Sequence, residues 1–185
     1  GYTNPPGTNC SKCSAGTYKP AQGAQSCTLC GQGKFSGKVG QRYETTCEPC
    51  PRGTLSLAFG AVDNTTCELC PAGTYMPDLG ATACLSCPLR SASLPGATSI
   101  SQCKCAPGYW GPNGLPCNPC AAGKFKENYG TGPCVDCPPN SLSPPGSGRA
   151  KLCSCFAGYT GLDESNGWTC VMCAPSTYKN ATSND

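Results

Sequence analysis

The run Cys70-Pro-Ala-Gly73-Thr-Tyr75, eight residues, Cys84-Leu-Ser-Cys87-Pro-Leu-Arg-Ser-Ala-Ser-Leu-Pro95-Gly96, six residues, then Cys103-Lys-Cys105-Ala-Pro-Gly108-Tyr109 decides the fold. Its first part recurs. Cys13-Ser-Ala-Gly16-Thr-Tyr18 runs on to Cys27, and Cys120-Ala-Ala-Gly123-Lys-Phe125 to Cys134, each with 13 residues between the cysteines. Related stretches, Cys30 to Gly33-Lys-Phe35 and Cys50 to Gly53-Thr-Leu55, close after 16 residues. The second part recurs as Cys137-Pro-Pro-Asn-Ser-Leu-Ser-Pro-Pro145-Gly146, followed by Cys153-Ser-Cys155 and Gly158-Tyr159. Self-similarity at a short period signals a repeat architecture. Glycine three positions after a cysteine suits a tight turn that needs positive φ. The aromatic residue five positions after the cysteine is expected to lie against a disulfide and form the small core of each module.

Composition points the same way. Of 185 residues, 20 are Cys, 24 Gly and 19 Pro. Cysteine at that density marks a disulfide scaffold. No stretch between cysteines exceeds 16 residues. None holds an ordinary helix with its turns, nor the roughly 20 apolar residues of a membrane span. Much of the 38% hydrophobic fraction is Cys and Ala. Too few large aliphatics remain to fill one large core, so small covalently pinned modules in series are the physical alternative. The expected fold is small and disulfide-rich: an elongated tandem array of short β-hairpin and loop modules with almost no helix.

Function classes fall away in turn. The formal charge is +3, from 13 basic and 10 acidic residues without a basic run, which gives nucleic-acid binding no footing. Histidine is absent, removing the commonest general base and metal ligand. Cys-x-x-Cys pairs 13 residues apart fit a zinc ribbon, but ribbons do not run in unbroken series with shared spacers, and Cys-x-Cys-x-x-Gly-Tyr has no place in them. Redox chemistry at Cys-x-x-Cys needs a βαβ scaffold that is missing. No Ser/His/Asp set, phosphate loop or acidic calcium signature occurs. The expectation is therefore no enzyme, no catalytic residue, no metal site, no cofactor, no nucleic-acid partner and no membrane insertion within this segment.

The combined pattern resembles ephrin-receptor-like cysteine-rich repeats across essentially the whole chain. The 13-residue modules also resemble the single-disulfide module of tumour-necrosis-factor receptors, and the Cys-x-Cys-x-x-Gly-Tyr stretches the C-terminal half of an EGF module. Such repeats occur in receptors, adhesion proteins and surface glycoproteins of algae and protists. The resemblance implies this division: a truncated EGF-like half at 1–10, ephrin-receptor-like modules at 11–104, an EGF-like half at 105–117, a second ephrin-receptor-like unit at 118–154, an EGF-like half at 155–170, and the start of a truncated module at 171–185. It implies an extracellular, non-catalytic structural glycoprotein segment, a stiff rod with nearest-neighbour contacts only. The filament, the mastigoneme-like surface appendage and the coat are its settings. A receptor or adhesion ectodomain is the alternative.

Gly1 to Cys10 aligns without gaps to Gly108 to Cys117. By that alignment the partner of Cys10 is expected three residues before Gly1, and the closing partner of Cys173 just beyond Asp185. The N-terminus has no basic start and no apolar stretch, so an export signal is expected elsewhere in the full protein. Sequential pairing explains both ends: Cys13–Cys27, Cys30–Cys47, Cys50–Cys67, Cys70–Cys84, Cys87–Cys103, Cys105–Cys117, Cys120–Cys134, Cys137–Cys153 and Cys155–Cys170, with Cys10 and Cys173 bonded outside the fragment. Interlocked pairing within four-cysteine blocks, such as Cys10–Cys27 with Cys13–Cys30, uses the cysteines equally well, and sequence leaves both open.

Three Asn-x-Ser/Thr sites begin at Asn64, Asn180 and Asn9, the last doubtful because a cysteine sits inside it. Ser143-Pro144-Pro145 is a candidate for hydroxylation and O-glycosylation in an algal host. Trp110 and Trp168 either pack locally on a disulfide or contact a neighbouring chain or a glycan, and under the receptor reading the loop Leu57-Ala58-Phe59 is a further candidate contact. Expected partners are further copies of the chain or other extracellular glycoproteins, together with covalent glycans.

Overall fold

The computed structural model describes residues 1–3, 10–21, 23–161, 169–177, 180 and 182. Its described strands are all two residues long and pair into ten antiparallel hairpins. The registers repeat from module to module. Thr17 lies opposite Leu29, Thr54 opposite Leu69, Phe125 opposite Val135 and Ser141 opposite Cys155. Four single 3-10 turns, Glu44–Thr46, Asn64–Thr66, Ile100–Gln102 and Ala150–Leu152, lead into cysteines. The fold is the small disulfide-rich hairpin array expected from the cysteine pattern. Contacts group it into two units. The first comprises Gly1–Cys87 with Ser93–Gln102, the second Pro88–Ala92 with Cys103–Asp185.

A two-residue hairpin is far below the size that is stable alone in water. Two kinds of bond supply what it lacks. Disulfides join Cys13–Cys27, Cys30–Cys47, Cys50–Cys67, Cys70–Cys84, Cys105–Cys117, Cys120–Cys134, Cys137–Cys153 and Cys155–Cys170. Cys87 and Cys103 are disulfide-bonded too, whereas Cys10 and Cys173 are free. Among the described residues the most buried side chains are nine cysteines, from Cys13 to Cys155, with two others, Ser56 and Ser143. Sulfur therefore occupies the place that Leu and Ile take in a larger domain.

The second kind of bond is main-chain and repeats at each step. In the first unit, Gly40 N–H donates to Cys13 O, Gly60 to Cys30 O, Gly80 to Cys50 O and Gly96 to Cys70 O, at 2.7–2.8 Å. Each glycine belongs to the module after its acceptor. A second set centres on the residue six positions after each module's first cysteine. Ser36 O accepts from Gly16 N–H while Ser36 N–H donates to Ala61 O. Ser56, between Gly33 and Ala81, and Met76, between Gly53 and Ala97, repeat the arrangement. In the second unit, Lys126 receives Gly108 N–H and donates to Ser147 O. In these four modules one residue thus holds the module before and the module after it. Short parallel bridges, such as Phe35 with Ala61 and Tyr75 with Ala97, follow from this.

Contacts also reach beyond neighbouring modules. Gly33 has φ +73°, and a Cβ built there would lie 2.1 Å from the carbonyl oxygen of Gly80, two modules on. Gly16 stands the same way against Gly60, and Gly108 against Gly146. The expectation of nearest-neighbour contacts only is therefore too simple. Glycine is needed both for the left-handed turn and for the close approach. Gly73 has φ +80° but open space around its Cβ position. At the equivalent turn position elsewhere, Arg90, Asn140 and Ser176 hold positive φ without being glycine. Phe125 also packs farther along than expected. It lies against the Cys153, Cys155 and Cys170 cluster of later modules, together with Tyr159.

Candidate functional surface

The residue six after the first cysteine is interior in module after module, whatever its chemistry. Lys19, Ser36, Ser56, Met76, Ser93, Lys126 and Ser143 are all buried there. Two are lysines. Lys19 Nζ donates to the carbonyls of Gly23 and Gln25, and Lys126 Nζ to Asn128 O at 2.6 Å. Each ammonium ties down the loop that follows it. Burial lowers the pKa of Lys126 below the ordinary lysine value of 10.5. The unfolded chain therefore holds more protons between that lowered value and 10.5, and stability rises with pH across this window. Lys126→Met should remove the rise, since Met76 already fills the equivalent place. Guanidinium unfolding of thiol-blocked protein at a series of alkaline pH values checks this.

Around this interior the surface carries charges of both signs among many exposed apolar side chains, Leu69, Leu89 and Leu94 included. Lys34 pairs with Glu44 at 2.8 Å, Lys38 with Glu48 at 3.6 Å, and Lys124 with Asp136. The hydrogen bond from Lys34 and its charge hold the Glu44 carboxyl below the ordinary range. All three pairs are solvent-exposed, so each adds little stability.

The sequence-derived sites are placed as follows. Asn64 is exposed and opens the 3-10 turn Asn64–Thr66. Asp63 caps that turn, accepting from Thr65 N–H at 2.9 Å and from the Thr65 hydroxyl. Those hydrogen bonds lower the pKa of Asp63. Asn180 and Thr182 are exposed, while Asn9 and Trp168 lie outside the described residues. Trp110 is about half exposed, opposite Asn118 in the Tyr109–Trp110 hairpin. Ser143 is buried, and its hydroxyl donates to Lys124 O at 3.0 Å. That hydroxyl is already spent, which leaves Pro144 and Pro145 as the exposed part of this motif. Among the described residues no group of three or more His, Cys, Asp or Glu is placed to hold a metal ion.

Sequence reading missed a feature of the loops in the first unit. The glycines at 40, 60, 80 and 96 occupy one register position in four successive modules. Immediately before them stand Val39, Phe59, Leu79 and Pro95. Val39, Phe59 and Leu79 are 57%, 64% and 57% exposed. One position earlier stand Lys38, Ala58, Asp78 and Leu94. A stacked apolar row with a base near one end and an acid two modules away is visible only once the stacking is known. Phe59 was singled out from sequence; its alignment with Val39 and Leu79 was not.

The family model described as tyrosine-protein kinase ephrin type A/B receptor-like matches residues 1–45 and 59–103. No curated protein matches the chain. Repeats of this kind are cysteine-rich ectodomain modules, typically extracellular and typically non-catalytic. Among the described residues no helix is long and apolar enough to cross a membrane.

Proposed function

Since the chain carries ephrin-receptor-like cysteine-rich repeats, we propose that it is a non-catalytic segment of an extracellular structural glycoprotein. It serves as a stiff rod in a filament, a mastigoneme-like surface appendage or a coat. The observation that carries this reading is the interior residue bonded through its main chain to both neighbouring modules, as Ser36 is to Gly16 and Ala61. Bonds of that kind resist bending and twisting between modules, and disulfides inside each module resist its opening. Electron microscopy of the native protein tests the assignment: an elongated assembly supports it, and a strictly monomeric soluble species counts against it. The other reading is a receptor or adhesion ectodomain, with these modules as spacer or ligand surface. It is favoured by the exposed Leu57 and Phe59 on one loop.

The glycoprotein part of the proposal rests on Asn64 and Asn180, both at exposed positions. Asn64 is the stronger, because it is exposed and opens a turn whose start the Asp63 cap fixes. In protein from a secreting eukaryotic host, Thr66→Ala should abolish the glycan at Asn64 and leave any at Asn180 in place. Mass spectrometry before and after enzymatic deglycosylation reads both sites. An unmodified Asn64 in the secreted parent would remove this part of the proposal.

A further inference from the structure

We infer that the loop row of the first unit is a self-association surface, on which a second copy of this chain docks antiparallel about a twofold axis at Phe59. The inference deepens the structural reading above and rests on it. Three observations meet here. Val39, Phe59 and Leu79 are exposed at one register position in three consecutive modules. The row is symmetric in character, with an aliphatic residue one module to either side of the aromatic. Its charges are antisymmetric: Lys38 precedes Val39, Asp78 precedes Leu79, and the uncharged Ala58 precedes Phe59.

A twofold contact pairs residue i of one copy with residue j of the other, and j with i. Centred on Phe59, it sets the two Phe59 rings together, Val39 against Leu79 twice, and Lys38 against Asp78 twice. Parallel docking in the same register would instead set Lys38 on Lys38 and Asp78 on Asp78. Charge complementarity therefore selects both the partner and its direction. Lys38 is exposed and its pair with Glu48 is 3.6 Å long, so it is free to change partners. Asp78 is exposed and makes no ion pair among the described residues. A row this narrow gives a weak contact by itself. Repeated along an assembly of many copies, it adds through multivalency.

Sedimentation of the intact 185-residue chain, from about 10 μM to about 1 mM, tests this over the range where weak dimers form. The weight-average mass should rise from the 18.9 kDa monomer toward twice that value and stop. Phe59→Glu should abolish the rise. Lys38→Glu and Asp78→Lys should each weaken association by roughly tenfold, and the double variant should restore most of it. Each variant is first shown to keep the parent's free-thiol count and thermal midpoint, so that an altered fold is not read as lost docking. A wild-type chain that stays monomeric, a mass that climbs past the dimer, or a double variant as weak as the singles would overturn the inference. The rod reading is decided separately, by microscopy of the native protein, because loss of this one weak contact in the 185-residue chain does not speak to the bonds between modules. That reading also fails if the thiol count shows the modules unbridged.

Discussion

Gly33→Ala is expected to cost about 3 kcal/mol or more, while Gly73→Ala costs about 1 kcal/mol. Both residues occupy the same turn position, with φ of +73° and +80°. Backbone strain in the left-handed region is therefore nearly equal at the two sites, at about 1–2 kcal/mol. The difference lies in what a methyl group meets. At Gly33 it would stand 2.1 Å from Gly80 O, and at Gly73 it meets nothing within 4 Å. A backbone carbonyl cannot rotate aside like a flexible side chain. The module holding Gly80 must shift, straining the bond from Gly80 N–H to Cys50 O and the contacts that follow it. Asparagine sharpens the comparison, because Asn140 already occupies this turn position at φ +63°. Gly73→Asn should be close to neutral, and Gly33→Asn at least as damaging as alanine. Urea unfolding followed by tryptophan-independent far-ultraviolet circular dichroism gives both numbers. Equal costs at the two sites would show that the contact across an intervening module has no energetic weight.

Removing the Cys50–Cys67 bridge, by changing both cysteines to serine, is expected to cost about 3 kcal/mol. That is the chain-entropy value for a closed loop of this length. The loss should be local at first. Ser56 and Gly53 remain bonded to Ala81 and Met76 of the next module, so the neighbours keep their own hairpins. Limited proteolysis should cut first between residues 50 and 67 and spare the flanking modules. Reduction of all the bridges is a different matter. Nine of the eleven most buried side chains among the described residues are cysteine, so little apolar interior is left there to hold the hairpins, and protease resistance should vanish throughout. Chelators should leave the protein unchanged. Shape and resistance that survive a strong reductant would contradict the sulfur-centred account.

The array of hairpins was legible in the sequence because cysteine spacing encodes it directly. A pair two residues apart, a turn glycine three residues on and a closing cysteine leave room for little else. The turn conformation was legible where glycine marks it, as at Gly16 or Gly123, and hidden where Arg90, Asn140 and Ser176 adopt the same φ. The interior position was hidden for a deeper reason. Ser36, Ser56, Met76 and Lys126 share no side-chain property, because their burial is set by main-chain bonds to the modules on either side. A hydropathy pattern has nothing to read there. Likewise, the row Val39, Phe59 and Leu79 is scattered at intervals of 20 residues in sequence and becomes a surface only when loops stack. Asn64 could be named as an acceptor from three letters, but its exposure and the Asp63 cap came only with the fold.

The bridges in the first unit also fix how far the chain can be drawn out under tension. Between Cys13 and Cys84 a force runs through the sulfur atoms and bypasses the loops they close. The path consists of four Cα–Cα spans of 5.6–5.8 Å and three links of three residue steps, about 55 Å fully taut. The same stretch with open cysteines would pay out to about 250 Å. Even complete loss of its hydrogen bonds thus leaves an oxidised tether with little slack, and only a reductant releases the rest of its contour length.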